Sequence, residues 1–240
     1  MKQKQNGWQR LLALLLAICL LGGLAVNVFA LEDYDYVIAS GTCGAEGDGS
    51  NLRWEFNTDG VLTITGAGAM RDYERAESDP PWLSYLLSYS GKKTLVLDDR
   101  ITRIGNYAFY YYGGIGLSGE LHLPENLISI GQSAFQFCNE LTGTVILPRS
   151  LQTIESFAFY GSSISGDLIF PESCSSIGDG AFSGCTGLTG RLQMPAVLKS
   201  IAGSAFSDTG FTQVVLNDGL ETIGDRAFMA CKALTGSVCI

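Results

Sequence analysis

The sequence predicts a mainly β solenoid with short helical turns, in which parallel strands form a ladder and a small β cap covers the N-terminal end. Three observations predict this fold. A six-residue motif recurs at a nearly constant spacing, a short pattern of alternating apolar residues lies between successive copies, and a hairpin-like segment without the motif precedes the first copy.

The motif is Ile-x-x-x-Ala-Phe, and it occurs six times, at 104–109, 130–135, 154–159, 177–182, 201–206 and 223–228. Successive Phe residues are 26, 24, 23, 24 and 22 residues apart. A period in the twenties is the signature of stacked repeats. One such repeat cannot bury its own apolar face, so stacking is expected to build a continuous core with one Phe in each layer.

Each repeat is predicted to contain one strand, and the seven strands are 94–97, 120–123, 144–147, 167–170, 191–194, 213–216 and 237–240. The second and fourth residues of these strands are apolar and are expected to point inward. Proline at 124, 148, 171 and 195 ends four of them, because proline cannot donate to a ladder. Glycine at 143, 166, 190 and 236 predicts a bend before the strand, and the motif itself predicts a short turn or a single helical turn.

Residues 41–92 lack the motif. The segments 52–56 and 61–65 alternate apolar residues around the turn-rich NTDG, which predicts a β-hairpin, and Trp82 is expected to be buried. We interpret residues 31–92 as an acidic leader and an N-terminal β cap on the repeats of residues 93–240, the last of which is incomplete. An independent binding domain is the alternative, and about 50 residues is small for a self-sufficient core.

Residues 1–30 have the pattern of a secretory signal peptide. Lys2, Lys4 and Arg10 precede an apolar run over 11–24, and Ala30 occupies a small-residue cleavage position. An uncleaved membrane anchor is the alternative, because 11–30 is long enough to span a bilayer. Gly22 and Gly23 interrupt the run and favour cleavage, which predicts a secreted or cell-surface protein with no membrane contact beyond the export signal.

Charge and composition exclude several classes of function. Apolar residues make up 46% and charged residues 16%, which is incompatible with a disordered acidic tail. Loss of residues 1–30 removes three basic and no acidic residues, leaving 12 basic against 24 acidic residues and a formal net charge of −12. Such a surface repels phosphate, so neither nucleic acid nor anionic lipid is an expected partner.

Six cysteines remain after residue 30, an even number that would suit disulfides in an exported protein. However, Cys138, Cys185 and Cys231 each follow a repeat Phe by three residues, in alternate repeats. Stacking would place them ~9–10 Å apart, which is too far for a bridge. We therefore expect small buried apolar side chains. The chain has no C-x-x-C pair, and we predict no metal and no cofactor.

The consensus L-T-G-x-L-x-L-P-x-x-L-x-x-I-G-x-x-A-F-x-x-C resembles the BspA-type leucine-rich repeat, most clearly in 141–159 and 188–206. The preceding GTCG, NLRWEFNTDGVLTITGAGAM and PPW resemble the segment that often leads such arrays, so the resemblance covers about 200 of the 240 residues. It implies a leucine-rich-repeat solenoid in a secreted or surface-exposed bacterial protein that attaches to host or neighbouring-cell molecules. It implies no catalytic residue and identifies no ligand.

The first and third residues of the strands are expected to face solvent on what we call the ladder face. The third residues form an unusually apolar column, which predicts a partner surface, although the same residues also suit strands by β propensity, and both interpretations remain open. Glu120 and Asp167 beside Arg191 could supply polar contacts, but solubility is the favoured explanation. The candidate ligand-binding residues are Val96, Glu120, His122, Ile146, Asp167, Ile169, Arg191, Gln193 and Val215.

Two further features have alternative explanations. His122 is the single histidine, and no nucleophile is evidently paired with it, so an acid–base role is not expected. The run Tyr110 to Tyr112 could be a binding hot spot, but cover for the junction between cap and repeats is favoured.

The sequence thus predicts a non-catalytic extracellular binding or adhesion module whose ladder face contacts a protein or glycan ligand. A passive repeat spacer that presents another domain is the alternative, and an enzyme is the least favoured class. The chain stops within its seventh predicted strand, so we expect either a longer parent chain or a last repeat that frays or pairs with another copy. The oligomeric state stays open.

Overall fold

The computed structural model describes residues 36–74, 78–110 and 116–235. The predicted signal peptide, Tyr111, Tyr112 and the seventh predicted strand lie outside these residues. Within them, no helix has the length and apolar character needed to cross a membrane.

The N-terminal segment forms a four-stranded sheet. Strands β1 (Val37–Thr42), β2 (Leu52–Asn57) and β3 (Val61–Gly66) are antiparallel, and β5 (Thr94–Leu97) adds to β3 in parallel. The hairpin predicted from alternation is present, since every second residue of β2 is buried. The Asn57 side chain closes its turn by accepting a hydrogen bond from the Val61 amide at 2.7 Å.

A short helix and a tryptophan join this sheet to the repeats. Helix α1 (Leu83–Ser88) buries Leu83 and Leu86. Trp82, just before it, donates its indole N–H to the Ala108 carbonyl at 3.1 Å. The Trp82 ring also stacks on Phe109 at a centroid distance of 5.6 Å, so it lies at the N-terminal end of the repeat core.

The repeats, which we call coils one to six after their Phe residues, share a ladder of very short parallel strands. Five of its strands form one sheet: β4 (Gly68–Ala69), β6 (Ile101–Ile104), β8 (Ser129–Ile130), β10 (Thr153–Ile154) and β12 (Ser176–Ile177). The ladder is interrupted between coils four and five, and β14 (Ser200–Ile201) and β16 (Thr222–Ile223) form a separate pair. We predicted only a turn here, and that prediction was incomplete, because the motif Ile ends a strand. Two residues are too few to show the alternation that identifies a strand in sequence.

A second ladder lies on the predicted ladder face. Its strands are β7 (Gly119–Glu120), β9 (Leu141–Thr142), β11 (Ser165–Ile169), β13 (Gly187–Gln193) and β15 (Gly210–Val215). The strands predicted at 120–123 and 144–147 were wrong in their bounds, since pairing ends at Glu120 and Thr142 there. Gly143, with a φ of 86°, makes the predicted bend, and the pairing lies before this bend instead of after it.

The Ala-Phe half of each motif is a tight turn, as predicted. In coil two the Ala134 amide donates to the Gly131 carbonyl, and the turn is joined to coil three by bonds from Ser133 to Ser156 and from Phe135 to Ala158. The residue two before Phe has a left-handed backbone in every coil, with φ values of 53° to 60°.

The Phe residues form the predicted continuous core. Phe109, Phe135, Phe159, Phe182 and Phe206 are fully buried, and neighbouring rings stack with centroids 5.2–5.7 Å apart. Burial of each ring contributes about 1.5–3 kcal/mol. The fold is therefore a mainly β, parallel-strand solenoid.

The five cysteines among the described residues are buried, as expected. Cys138, Cys185 and Cys231 each donate a thiol hydrogen bond to the Phe carbonyl of the preceding coil, at 3.0–3.1 Å. Ser162 and Thr209 occupy the same position in the intervening coils, and both lie beside a thiol. Burial raises the pKa of the Cys185 thiol to about 11.

Candidate functional site

Most of the predicted ladder-face residues are exposed. Ile146 is 79% exposed and Ile169 is 76% exposed, the two highest values among the large hydrophobic residues described. Val96 is 49% exposed, and His122 and Gln193 are also exposed. Val215 is only half-buried. The apolar column is thus concentrated at coils three and four.

A groove of about 490 Å³ opens between these two coils. Its walls are the segments 144–147 and 167–170, and Ile146 and Ile169 lie one on each wall. Val145, Leu147 and Phe170, which alternate with the exposed residues and are buried, complete the apolar lining.

The groove exists because the second ladder is interrupted there. The last backbone link is the bond from the Ser165 amide to the Gly143 carbonyl at 3.0 Å. Beyond it, residues 144–147 form no backbone hydrogen bond with another described residue. Residues 167–169 pair only on their other side, with β13.

Behind the groove, coils three and four stay in close contact. Ile154 pairs with Ile177 in the first ladder, and Phe159 stacks on Phe182 with a centroid distance of 5.3 Å. The coils therefore separate only at the ladder face. Both walls are anchored by a continuous core, so the groove is already formed without a ligand.

Polar side chains lie at the ends of the groove. Asp167 borders one end, and Arg149, Glu172 and Ser173 border the other. The Ser173 hydroxyl bridges back to coil three by donating to the carbonyls of Arg149 and Leu151, both at 2.7 Å. Glu172 accepts a 3.3 Å bond from the Ala196 amide of coil five. This rim is held in place by contacts with neighbouring coils.

The structure brings together three of the predicted site residues, Ile146, Asp167 and Ile169. The other six lie outside the groove; they are Val96, Glu120, His122, Arg191, Gln193 and Val215. Among the described residues, Asp167 and Arg191 form no ion pair with each other.

The imidazole of His122 lies 3.9 Å from Glu120, and both side chains are largely exposed. No group of three or more possible metal ligands occurs within the described ranges.

Sequence reasoning missed the residues at the end of the groove. Arg149, Glu172 and Ser173 follow Pro148 and Pro171, which we interpreted only as strand terminators. Each proline also opens a turn, since its carbonyl accepts from the amide three residues later. This turn directs the side chains that follow the proline along the groove. The proline was the signal in the sequence that could have predicted it.

The repeat turns, the stacked Phe core and the two parallel ladders define the class of protein, a leucine-rich-repeat solenoid. Residues 102–235 match the BspA type leucine rich repeat region, in six copies. The chain belongs to this family. The matched region begins in β6 and contains the whole groove. No curated relative matches the chain.

Solved structures support the same fold. A leucine rich cell surface protein from Faecalibacterium prausnitzii is 27% identical, with a TM-score of 0.55 over 84% of this chain and 53% of its own length. A leucine-rich repeat protein from Eubacterium ventriosum is 21% identical, with a TM-score of 0.51 over 82% of this chain and 65% of its own. The T. pallidum leucine rich repeat protein is 23% identical, with a TM-score of 0.52 over 79% of this chain and 90% of its own length.

This chain therefore spans about half of the first of these proteins and about two thirds of the second. The two structures below 25% identity show the fold alone. The family and the fold together define a repeat module of the kind used for protein interaction.

Proposed function

We propose that this chain is a non-catalytic extracellular binding module that holds an extended segment of a partner protein in the groove between coils three and four. The observation that carries the proposal is the pair Ile146 and Ile169, which lie exposed on two walls without backbone pairing between them. An exposed apolar patch on a soluble protein is a common mark of a partner surface.

The groove suits an extended peptide for two reasons. The backbone N–H and C=O groups of 144–147 have no partner among the described residues, so they are available to pair with an added strand. The apolar lining offers space for alternate side chains of that strand. Main-chain bonds would supply affinity, and the shape of the lining would supply specificity.

Charge favours a neutral or basic partner segment. The rim carries Asp167 and Glu172 against the single cation Arg149. The chain as a whole has a formal net charge of −9. Electrostatic attraction of a basic segment would raise the association rate, and added salt would lower it.

Export and domain organisation are part of the same proposal. The similarity to a cell surface protein and the signal-like residues 1–30 support an extracellular location. The stacking of Trp82 on Phe109 supports a role for residues 31–92 as leader and cap, followed by repeats over 93–240.

The test is a double substitution, Ile146→Gln with Ile169→Gln. Glutamine is the residue that coil five carries at this position, as Gln193, within an intact strand. The variant should therefore fold normally. We expect at least a tenfold loss of binding to immobilised extracellular-matrix proteins or mucin in surface plasmon resonance.

Val96→Gln is the matched control, because Val96 belongs to the same column but lies outside the groove. It should bind like the unmodified chain. Binding that survives the double substitution would contradict the groove as the site. A folded chain that binds none of these proteins would favour the spacer function instead.

A further inference from the structure

A second groove lies on a different surface, the one formed by the turns of the motif. We call it the turn groove. It has a volume of about 500 Å³ and is formed by residues 157, 179–180, 203–204 and 225–226 of coils three to six. None of these residues lines the groove on the ladder face.

The floor of the turn groove is held by a chain of backbone hydrogen bonds. The Phe157 amide donates to the Asp179 carbonyl at 2.8 Å, and the Gly180 amide donates to the Gly203 carbonyl at 2.9 Å. The Ser204 amide continues the series to the Asp225 carbonyl at 2.9 Å. The four turns are thus joined edge to edge, and the groove needs no rearrangement to form.

The opening results from missing side chains at two repeat positions. The position two residues after the motif Ile holds Asn106, Gln132, Ser156, Asp179, Gly203 and Asp225 in coils one to six. Gly203 has no side chain there, and a Cβ atom would lie 3.2 Å from the Asp179 carboxylate and 3.4 Å from the Asp225 carbonyl. At the next position the missing side chain of Gly180 makes room for the ring of Phe157 of coil three.

Phe157 forms an aromatic wall at one end. Its ring is 38% exposed although its backbone is left-handed, with a φ of 59°, a conformation that is unusual for a bulky residue. Contacts hold the ring in place. A Cβ atom on Gly180 would lie 2.7 Å from the ring, and Tyr160 packs against it edge-on at 5.8 Å.

Polar groups surround the rest of the turn groove. Asp179 accepts a bond from the Gly203 amide at 2.8 Å through one carboxylate oxygen. Neither the Asp225 carboxylate nor the Arg226 guanidinium has a side-chain partner among the described residues. Two acceptors and a cationic donor therefore face an aromatic ring across a glycine floor.

We propose that the turn groove binds a neutral glycan. The apolar C–H face of a pyranose ring carries a partial positive charge that suits the face of Phe157. Sugar hydroxyls would donate to Asp179 and Asp225 in charge-assisted hydrogen bonds, while Arg226 donates to a sugar oxygen. From coil three to coil six the turn groove spans three coil spacings, about 14 Å, which suits a short oligosaccharide.

Other ligand classes fit the turn groove less well. Acidic sugars would place their carboxylates against Asp179 and Asp225. A basic peptide would be repelled by Arg226 at one end. A purely apolar ligand would desolvate all three charged groups and would leave Asp225 and Arg226 without a partner, which is costly.

The test measures binding of cellohexaose, maltohexaose and mannohexaose to the full chain by isothermal titration calorimetry. Phe157→Ser removes the ring, and Ser133 and Ser204 show that serine is accommodated at this left-handed position. Gly203→Asn fills the floor with the residue that coil one carries there, Asn106. We expect at least one of the three sugars to bind, and each variant to weaken it at least tenfold without a change in melting temperature.

The Ile146→Gln/Ile169→Gln variant should bind the sugar normally, since it alters only the ladder face. A hexasaccharide that binds equally to the Phe157→Ser variant would overturn the proposal. So would the absence of binding by all three neutral sugars at millimolar concentration, or a preference of the turn groove for polygalacturonate or an oligolysine peptide. None of these results would affect the ladder-face groove.

Discussion

Arg103 of coil one reaches Glu155 of coil three, two layers along the solenoid, with a guanidinium-to-carboxylate distance of 2.7 Å. Its other terminal nitrogen lies 2.9 Å from Asp72, which precedes the repeats. The same guanidinium also donates to Ser129 of coil two. One half-buried side chain therefore connects the N-terminal segment to three successive coils.

We expect Arg103→Met to lower the free energy of unfolding by about 1–3 kcal/mol, between the values for exposed and buried ion pairs. Asp72 and Glu155 would each lose their guanidinium partner at a position that is partly shielded from solvent. Urea denaturation at low and high salt measures the effect. Arg100→Met is the matched control. Among the described residues Arg100 forms an ion pair with Asp98 alone, and its own side chain is 65% exposed, so the substitution should change the midpoint little. Equal stability of Arg103→Met and the unmodified chain would mean that the network does not stabilise the array.

The Phe stack predicts a large penalty for one missing ring. Phe159 is fully buried between Phe135 and Phe182, with both ring centroids 5.3 Å away. We expect Phe159→Ala to cost about 3–5 kcal/mol, because neighbouring coils cannot collapse into the space. Phe228→Ala should cost less, since this ring is only partly buried. Thermal or urea unfolding measures both, and an unchanged transition for Phe159→Ala would contradict the stacking.

The buried thiols predict a loss of stability in alkali. Burial raises the pKa from 9.0 to about 12 for Cys43 and to about 11 for Cys174 and Cys185. These thiols stay protonated in the folded chain, whereas the unfolded chain loses its thiol protons from about pH 9 upward. Their contribution to stability is therefore complete below pH 9 and is lost as the pH rises from 9 towards 11–12.

At pH 10 each such thiol has lowered the free energy of unfolding by about 1.4 kcal/mol. Urea denaturation at pH 8 and pH 10 measures it, with Cys185→Ser as the control that removes one thiol. Serine should be tolerated at this position, three residues after the motif Phe, because other coils carry Ser162 and Thr209 there. The control should lose less stability between the two pH values than the unmodified chain. An identical loss would mean that Cys185 does not contribute.

Much of the fold could be predicted from the sequence, because one coil repeats the same local pattern. The period identified the six motif Phe residues that stack along the core, and alternation identified which strand residues point inward. The position of Cys138, Cys185 and Cys231 three residues after Phe was enough to predict burial without bridges. Ile146 and Ile169 were also identified as exposed candidates, although nothing in the sequence set them apart from Val96 or Val215.

The sequence by itself thus determined the contents of each layer, and only the tertiary structure decided how the layers meet. Arg103 and Glu155 are 52 residues apart, and no local pattern relates them. The interrupted ladder at 144–147 and the open floor at Gly203 depend on the spacing and register of whole coils. The physical reason is that burial within a coil is a local property, which periodicity reports. The distance between coils is set by all contacts together, and at coils three and four the close-packed Phe core holds them together while the ladder face stays open.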